Sequence, residues 1–212
     1  MKQINKTKPP ASLIEHSKKG NADYDNYLEK DDLRKSLHEE QRGICCYCMC
    51  YIEPNIQYMK IEHFKCQENY PKEQLKYPNL LAACKGNEGE KEKYTHCDTF
   101  KGNKQLSIYP PGKIPNVDTL FEYNNDGSIS SKNKKYDSEI NSVLNLNTLT
   151  LMRNRKARLD GFKDSLKIYK GEIKKPTIQK WINKWKGTSH QDNLQPYCMV
   201  IVYWLQKRLN RA

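Results

Sequence analysis

Between Cys45 and Asn103 the chain concentrates the residue types that hold metals and move protons. Cys45-Cys46-Tyr47-Cys48 contains a C-x2-C pair, and such a pair on a tight turn presents two sulfurs to one zinc ion. The best partners further along are Cys84 and Cys97, on either side of the polar stretch 86–93. Four thiolates would make a closed, tetrahedral, structural zinc site. Cys46, Cys50 and Cys66 are alternative sulfurs, so the choice of four stays open at this level. The plainer reading is that these are buried free thiols, which behave as small hydrophobes.

Interleaved with the cysteines is a second group. Ile61-Glu62-His63-Phe64 comes first, Asn79-Leu80-Leu81 follows, and His96-Cys97-Asp98-Thr99-Phe100-Lys101-Gly102-Asn103 closes the series. Phosphodiester hydrolysis needs a base near neutrality to activate water, and imidazole suits that task. It also needs a divalent cation on hard oxygen ligands, with positions left open for phosphate and water. Glu62 and Asp98 supply such ligands, His63 the base, and Asn79 a carbonyl that could hold the other ring nitrogen of His63. Taken singly, each has a bland alternative: a structural histidine, a helix-capping Asp98, a turn residue at Asn79. Lys101 either contacts the scissile phosphate or pairs with a carboxylate.

These groups need elements to place them. Tyr58 to His63 reads as a short strand, and Asn79 to Cys84 as a strand or a turn into a helix. Residues 1–25 look extended, whereas 26–42 carry Leu28, Leu33 and Leu37 among charges and suggest an amphipathic helix. Asn124-Asn-Asp-Gly127 predicts a hairpin between Thr119–Tyr123 and Ser128–Ser130. From about residue 138 the pattern turns helical through Leu144, Leu146, Leu149, Met152, Leu159, Phe162, Leu166 and Tyr169, with Gly171 and Pro176 ending the run. Thr177–Lys186 and Leu194–Leu209 offer two more helices, the last apolar nearly all round and so buried. Trp181, Trp185, Tyr203 and Trp204 are core residues or a docking surface. The expected division is an N-terminal arm and helix (1–42), a zinc and catalytic module (43–105), a loop or hairpin connection (106–137) and a basic helical C-terminal region (138–212). The fold class is α+β.

The composition narrows the class. The chain has 212 residues, 36% of them hydrophobic and 29% charged, which allows only a modest core and makes a metal staple useful. No run nears the roughly 20 apolar residues of a membrane span. The basic start, Met1 to Pro10, has no apolar stretch behind it and does not read as a secretory signal. A cytoplasmic protein is expected, in a compartment where eight cysteines stay reduced and available to metal. The net charge is +12, and residues 151–212 hold 15 Lys/Arg against 4 Asp/Glu. Such a concentrated excess attracts polyanions, nucleic acid first among them. Arg153, Arg155, Lys156 and Arg158 are candidate phosphate contacts, unless they line a merely solvated helix face.

In this order of motifs the chain resembles HNH endonucleases of the ββα-metal fold. More narrowly it is similar to the HNH subunits of Septu antiphage systems, the PtuB family, some of which accompany retrons. The residues that carry the narrower resemblance are Met1-Lys-Gln-Ile-Asn-Lys6, Gln41-Arg-Gly-Ile-Cys45-Cys-Tyr-Cys48, Ile61-Glu-His-Phe64, Asn79-Leu-Leu81 and His96 to Asn103, with Leu144-Asn-Leu-Asn147 before an Arg-rich helix as a weaker point. The resemblance implies His63 as general base, Asn79 orienting it, Glu62 and Asp98 on Mg²⁺ or Mn²⁺, and Cys45, Cys48, Cys84 and Cys97 on structural Zn²⁺. It also implies an ABC/SMC-like ATPase partner, PtuA, that gates nucleic-acid cleavage. DNA is the expected substrate and RNA, such as tRNA, the alternative. A zinc-stapled module that binds nucleic acid or a partner without chemistry is the rival reading. Glu62 stands where many HNH enzymes have Asp, a longer carboxylate that still reaches a cation, and Asp98 where they often have His or Asn, which adds negative charge that favours Mg²⁺ over a soft metal. Lys65-Cys66-Gln67 replaces the proline common after the motif histidine.

Overall fold

The alternation of Met59-Lys-Ile-Glu-His63 makes strand β1 (Met59–His63), which pairs antiparallel with β2 (Leu80–Cys84). The register sets Met59 opposite Cys84 and His63 opposite Leu80. Leu80-Leu-Ala-Ala-Cys84 is buried throughout; it ends on Cys84, and Asn79 lies just before its start. The ambiguity over 79–84 therefore resolves to a strand, entered through a single 3-10 turn at Tyr77–Asn79. The short helix α3 (Cys97–Lys101) packs on β2, which gives a ββα arrangement around the cysteines. The whole is a mixed α+β structure with two small sheets. The computed structural model describes residues 1–169, 173–188 and 192–211.

Upstream, α1 (Ala11–Ser17) interrupts a segment that looks extended in the sequence. Pro10 presets the backbone at its N-cap, and a helix this short has too few apolar positions to show a period. Helix α2 (Lys30–Glu40) buries Leu33 and Leu37 against β1 and β2. Leu28 lies outside that helix and is 85% exposed, so the amphipathic run is shorter than its leucines suggest.

The hairpin forms as the Asn-Asn-Asp-Gly turn predicts, with β3 (Glu122–Tyr123) paired to β4 (Ile129–Ser130). Gly127 has φ +86°, and a Cβ there would sit 2.0 Å from Met152 O, so only glycine lets the turn close on the helix that carries Met152. The long leucine pattern beyond it is two helices, α4 (Lys134–Ser142) and α5 (Leu149–Ser165). Asn133 and Thr148 cap them by accepting main-chain N–H bonds. Leu144 and Leu146 fill the connection and are fully buried, whereas Leu149 is exposed.

Pro176 begins α6 (Lys175–Lys186) rather than ending its predecessor, in keeping with proline's fit to a first helical turn. Gly171, read as a breaker, lies outside the described residues. Helix α7 (Cys198–Leu209) buries Cys198, Met199, Val200, Ile201, Val202 and Leu205 between α5 and α6. One continuous apolar cluster runs from Met1 through the cysteine module to Leu205. Phe162 meets Trp181, Trp185 and Trp204 edge-on, so these half-buried aromatics both pack on the core and border the surface. Among the described residues no helix is long and apolar enough to cross a membrane.

Candidate active site and metal centre

The turn at Cys45–Cys50 closes by main-chain bonds from Met49 N to Cys45 O (3.1 Å) and from Cys45 N to Cys50 O (2.9 Å). Met49 takes φ +65° to complete it. This folds Cys45 and Cys48 toward Cys84 at the end of β2 and Cys97 at the start of α3. All four sulfurs lie within 4.8 Å of one another and are buried. Cys45 Sγ to Cys97 Sγ is 3.9 Å, and Cys48 Sγ to Cys84 Sγ is 3.7 Å. A tetrahedral zinc with bonds of about 2.3 Å would set its sulfurs roughly 3.8 Å apart. The donor set and its spacing therefore fit, and the cluster could hold a metal such as zinc. Burial pushes the Cys97 thiol well above its ordinary value, so ion binding there would release its proton.

The alternative sulfurs stay out of the quartet. Cys46 is buried next to Cys45 but outside the quartet, with its thiol pushed up by burial and by Cys45. Cys66 Sγ is 3.7 Å from Asn103 O. Cys50 stands beside the cluster, half-buried, and its amide donates to Cys48 Sγ at 3.5 Å. Two neighbours of the cluster carry no signal in the sequence beyond their place in the motif. His96 Nδ1 lies 3.2 Å from Cys97 Sγ. Gly86, at φ +56°, closes the neck of the loop before it, where a Cβ would meet His96 O at 2.1 Å.

Glu62 and Asp98 come together from β1 and α3. Their carboxyls face each other closely enough to shift one another's titration. Burial and the adjacent Asp98 push the Glu62 carboxyl well above the usual range, against the pull of Lys101. Burial also raises Asp98, but contact with Glu62 and the Lys60 ammonium bring it below its ordinary value overall. Two carboxyls so placed either share a proton or face a cation. Glu62 is 2% exposed and is fixed by Tyr47 Oη, which donates to Oε1 at 2.7 Å. The Asp98 side chain is 17% exposed and is the one solvent can reach.

Lys101 is fully buried. Its ammonium reaches Glu62 Oε1 at 2.9 Å, His63 O at 3.3 Å and Gly102 O at 3.3 Å. Those three acceptors saturate the group, so of the two roles open in the sequence the structure gives carboxylate pairing. Lys60, absent from the sequence reading, is the partly exposed cation here, 3.1 Å from both Asp98 Oδ2 and Glu88 Oε1.

His63 ends β1 and is 7% exposed. Its Nε2 donates to Gln74 O at 3.1 Å, and its ring meets Tyr24 edge-on with centroids 4.4 Å apart. Burial lowers the imidazole to about 4, so the ring is neutral at physiological pH. A carbonyl on Nε2 requires the proton there, which leaves the Nδ1 lone pair free. The partner carbonyl is not that of Asn79, which corrects the sequence expectation. Asn79 instead accepts from Lys65 N (2.7 Å) and donates to Lys65 O (3.0 Å) and Glu73 O (3.2 Å). It fixes the loop that presents Gln74, one step removed from the imidazole. Tyr24 and Gln74 were invisible in the sequence because their approach depends on how two loops fold.

The α5 cations divide. Arg153, Lys156 and Arg158 are on the surface or part-buried, with Lys156 paired to Asp160. Arg155 is 1% exposed and donates to Gly127 O (2.5 Å), Leu146 O (2.7 Å) and Asn147 Oδ1 (3.3 Å). As a phosphate contact it is therefore corrected: its guanidinium ties the hairpin turn and the α4–α5 connection to α5.

No family model matches the chain. Over 121 residues, 57% of its length, the chain is 30% identical to Septu protein PtuB of Bacillus thuringiensis. It is related to Septu PtuB over that stretch. The match spans 43% of the PtuB chain, less than half of that relative.

Proposed function

We propose that this chain is a metal-dependent HNH endonuclease and the effector subunit of a two-component antiphage defence system, gated by an ATPase partner of the PtuA kind. The observation that supports this reading is the meeting of Glu62, near the end of β1, with Asp98 on α3, next to a buried neutral His63 whose Nε2 is held by Gln74 O. The relationship to Septu PtuB supports the defence setting. The cysteine quartet braces the elements from both sides, since Cys84 ends β2 and Cys97 starts α3.

Glu62 and Asp98 would hold one Mg²⁺ or Mn²⁺, with phosphate and water completing its shell. When bound, such a cation stabilises negative charge on the phosphate and the leaving 3′-oxygen. His63 takes a proton from the attacking water at Nδ1, and Gln74 O, which accepts from Nε2–H, stabilises the imidazolium that forms. Tyr47 and Lys101 fix Glu62 so that it need not reorganise as charge develops. Lys60, at the open edge beside Asp98, is the side chain placed to meet a phosphate oxygen. A single such site nicks one strand at a time, and the protein works in the cytoplasm on DNA, with RNA as the alternative polymer.

A second reading is favoured by one observation. Among the described residues the only cluster of three or more metal-type ligands is the cysteine quartet. A zinc-stapled binding module without catalysis would need no more than that. The deciding assay incubates the zinc-loaded chain, with and without its co-encoded ATPase, with supercoiled plasmid or total tRNA in Mg²⁺ or Mn²⁺. Cleavage that depends on the added cation supports the nuclease and names the polymer. No cleavage of either, with the ATPase and nucleotide present, supports the binding module.

A further inference from the structure

The end of α7 and the turn between β3 and β4 enclose a cleft of about 480 Å³ lined by Asn124, Asn125, Tyr203, Trp204, Lys207 and Arg208, with Arg211 at its edge. Three features coincide there. First, among the described residues no carboxylate lines it. Second, unlike Lys156, which pairs with Asp160, and Lys167, which pairs with Asp164, its cations make no ion pair among the described residues. Lys163, Lys207, Arg208 and Arg211 have no carboxylate partner among the described residues. Third, the cations lie over aromatic rings. Arg208 is 5.7 Å and Lys163 6.0 Å from the Trp204 centroid, and Lys207 is 5.1 Å from that of Tyr203. Lys163 also donates to Asn125 Oδ1 at 3.1 Å, which ties the turn to the same group.

We propose that this cleft is a binding site for single-stranded nucleic acid, on elements other than those that carry His63. Unpaired cations clustered on one face leave a field that only an anion relieves, and half-buried indole and phenol rings beside them offer stacking surfaces for bases. A flexible strand can place a base against Trp204 or Tyr203 while its phosphates meet Lys207, Arg208 and Arg211. A duplex cannot present its base faces, because they are already stacked on one another. Asn124 and Asn125 line the same cleft, with Asn124 Nδ2 held by Ser128 Oγ and Asn125 Oδ1 by Lys163. The cleft volume is in the range that small ligands fill, which suits one unstacked nucleotide. An acidic protein surface would satisfy the charges, but it would not use the rings. The proposal rests on the nuclease reading for what the strand is held for, and its test is independent of cleavage.

The test is binding of fluorescently labelled dT and rU oligomers of about 15 nucleotides, measured by anisotropy on the full His63→Ala chain loaded with zinc and without added Mg²⁺. The expected result is affinity for the single strands that exceeds affinity for a duplex of equal length, with quenching of indole fluorescence. Lys207→Glu with Arg211→Glu is expected to weaken binding at least about tenfold and to flatten the salt dependence by about 1.4 or more in log–log slope. Trp204→Leu is expected to weaken binding with the salt slope kept. If that variant loses its fold, the double charge reversal at exposed positions still decides. Unchanged affinity in the charge-reversed chain overturns the proposal. Competition by polyglutamate as strong as by the oligonucleotide, or duplex binding equal to single-strand binding, also overturns it. Because cleavage never enters, failure here leaves the nuclease reading to its own assay.

Discussion

His63 Nε2 lies 3.1 Å from the main-chain oxygen of Gln74, whose own side-chain oxygen accepts the Tyr24 amide at the same distance. The N-terminal arm, the loop between the strands and the imidazole are thus joined in one chain of contacts, with Tyr24 edge-on to the ring. Tyr24→Ala removes the ring contact and frees the imidazole to rotate. A roughly tenfold or greater fall in the maximal cleavage rate is expected, of the size seen when an outer-shell partner is lost. Binding of substrate should change little, and Tyr24→Phe should keep most of the activity. The measurement is single-turnover cleavage across pH, with circular dichroism to verify the fold.

The same imidazole makes stability depend on pH. Burial lowers it from 6.5 to about 4, so between those values the unfolded chain takes up a proton that the folded chain refuses. Stability is then full above pH 6.5 and falls as pH drops toward 4, by on the order of 3 kcal/mol from this group. In urea titrations at pH 7 and pH 5, His63→Gln should lose less stability on acidification than wild type does. Equal losses would show that the ring is not buried neutral.

Lys101 and Glu62 are a buried pair whose members are 1% and 2% exposed in their side chains. Removing one partner strands the other, and Lys101→Met is expected to destabilise by about 3–5 kcal/mol. Adding Glu62→Gln should recover part of that loss, because the uncompensated charge goes with it. Denaturant midpoints of the single and double variants check this. If Lys101 served mainly as a surface phosphate contact, Lys101→Met would leave stability near wild type.

Arg155 offers a contrast with its neighbours on α5. Its guanidinium is buried on Gly127 O, Leu146 O and Asn147 Oδ1. Arg155→Met strands those acceptors and should cost about 3 kcal/mol or more. Arg153→Met, at an exposed position, should stay within about 0.5 kcal/mol. Thermal melts of the two variants measure the difference.

These residues show what a sequence reveals and what it hides. The sulfur quartet was legible because the C-x2-C spacing of Cys45 and Cys48 suits one metal ion on a tight turn, and Cys84 and Cys97 flank a single polar loop. The β1 strand and the hairpin at Asn124-Asn-Asp-Gly127 were legible from local alternation and turn chemistry. Arg155 was misread because a basic residue at helical spacing looks solvated, and only the return of the hairpin turn over α5 buries it. Asn79 was assigned to the imidazole, but the approach of Gln74 O depends on the path of the loop between the strands, which no local pattern encodes. The α1 helix was missed because seven residues hold too little periodicity to register.

Zinc content gives a further check. The quartet predicts one equivalent per chain by elemental analysis, lost in Cys84→Ser or Cys97→Ser together with cooperative unfolding. Cys46→Ser and Cys66→Ser should retain the metal. Retention in Cys84→Ser and loss in Cys46→Ser would move the site to other sulfurs.

The most direct test of the account compares wild type with His63→Ala on supercoiled plasmid in Mg²⁺, both zinc-loaded, equally folded and supplied with the ATPase partner and nucleotide. Relaxed circles formed by wild type, and none above background with His63→Ala, are the expected result. Equal nicking by the two proteins would contradict His63 as the base and with it the assignment of the site.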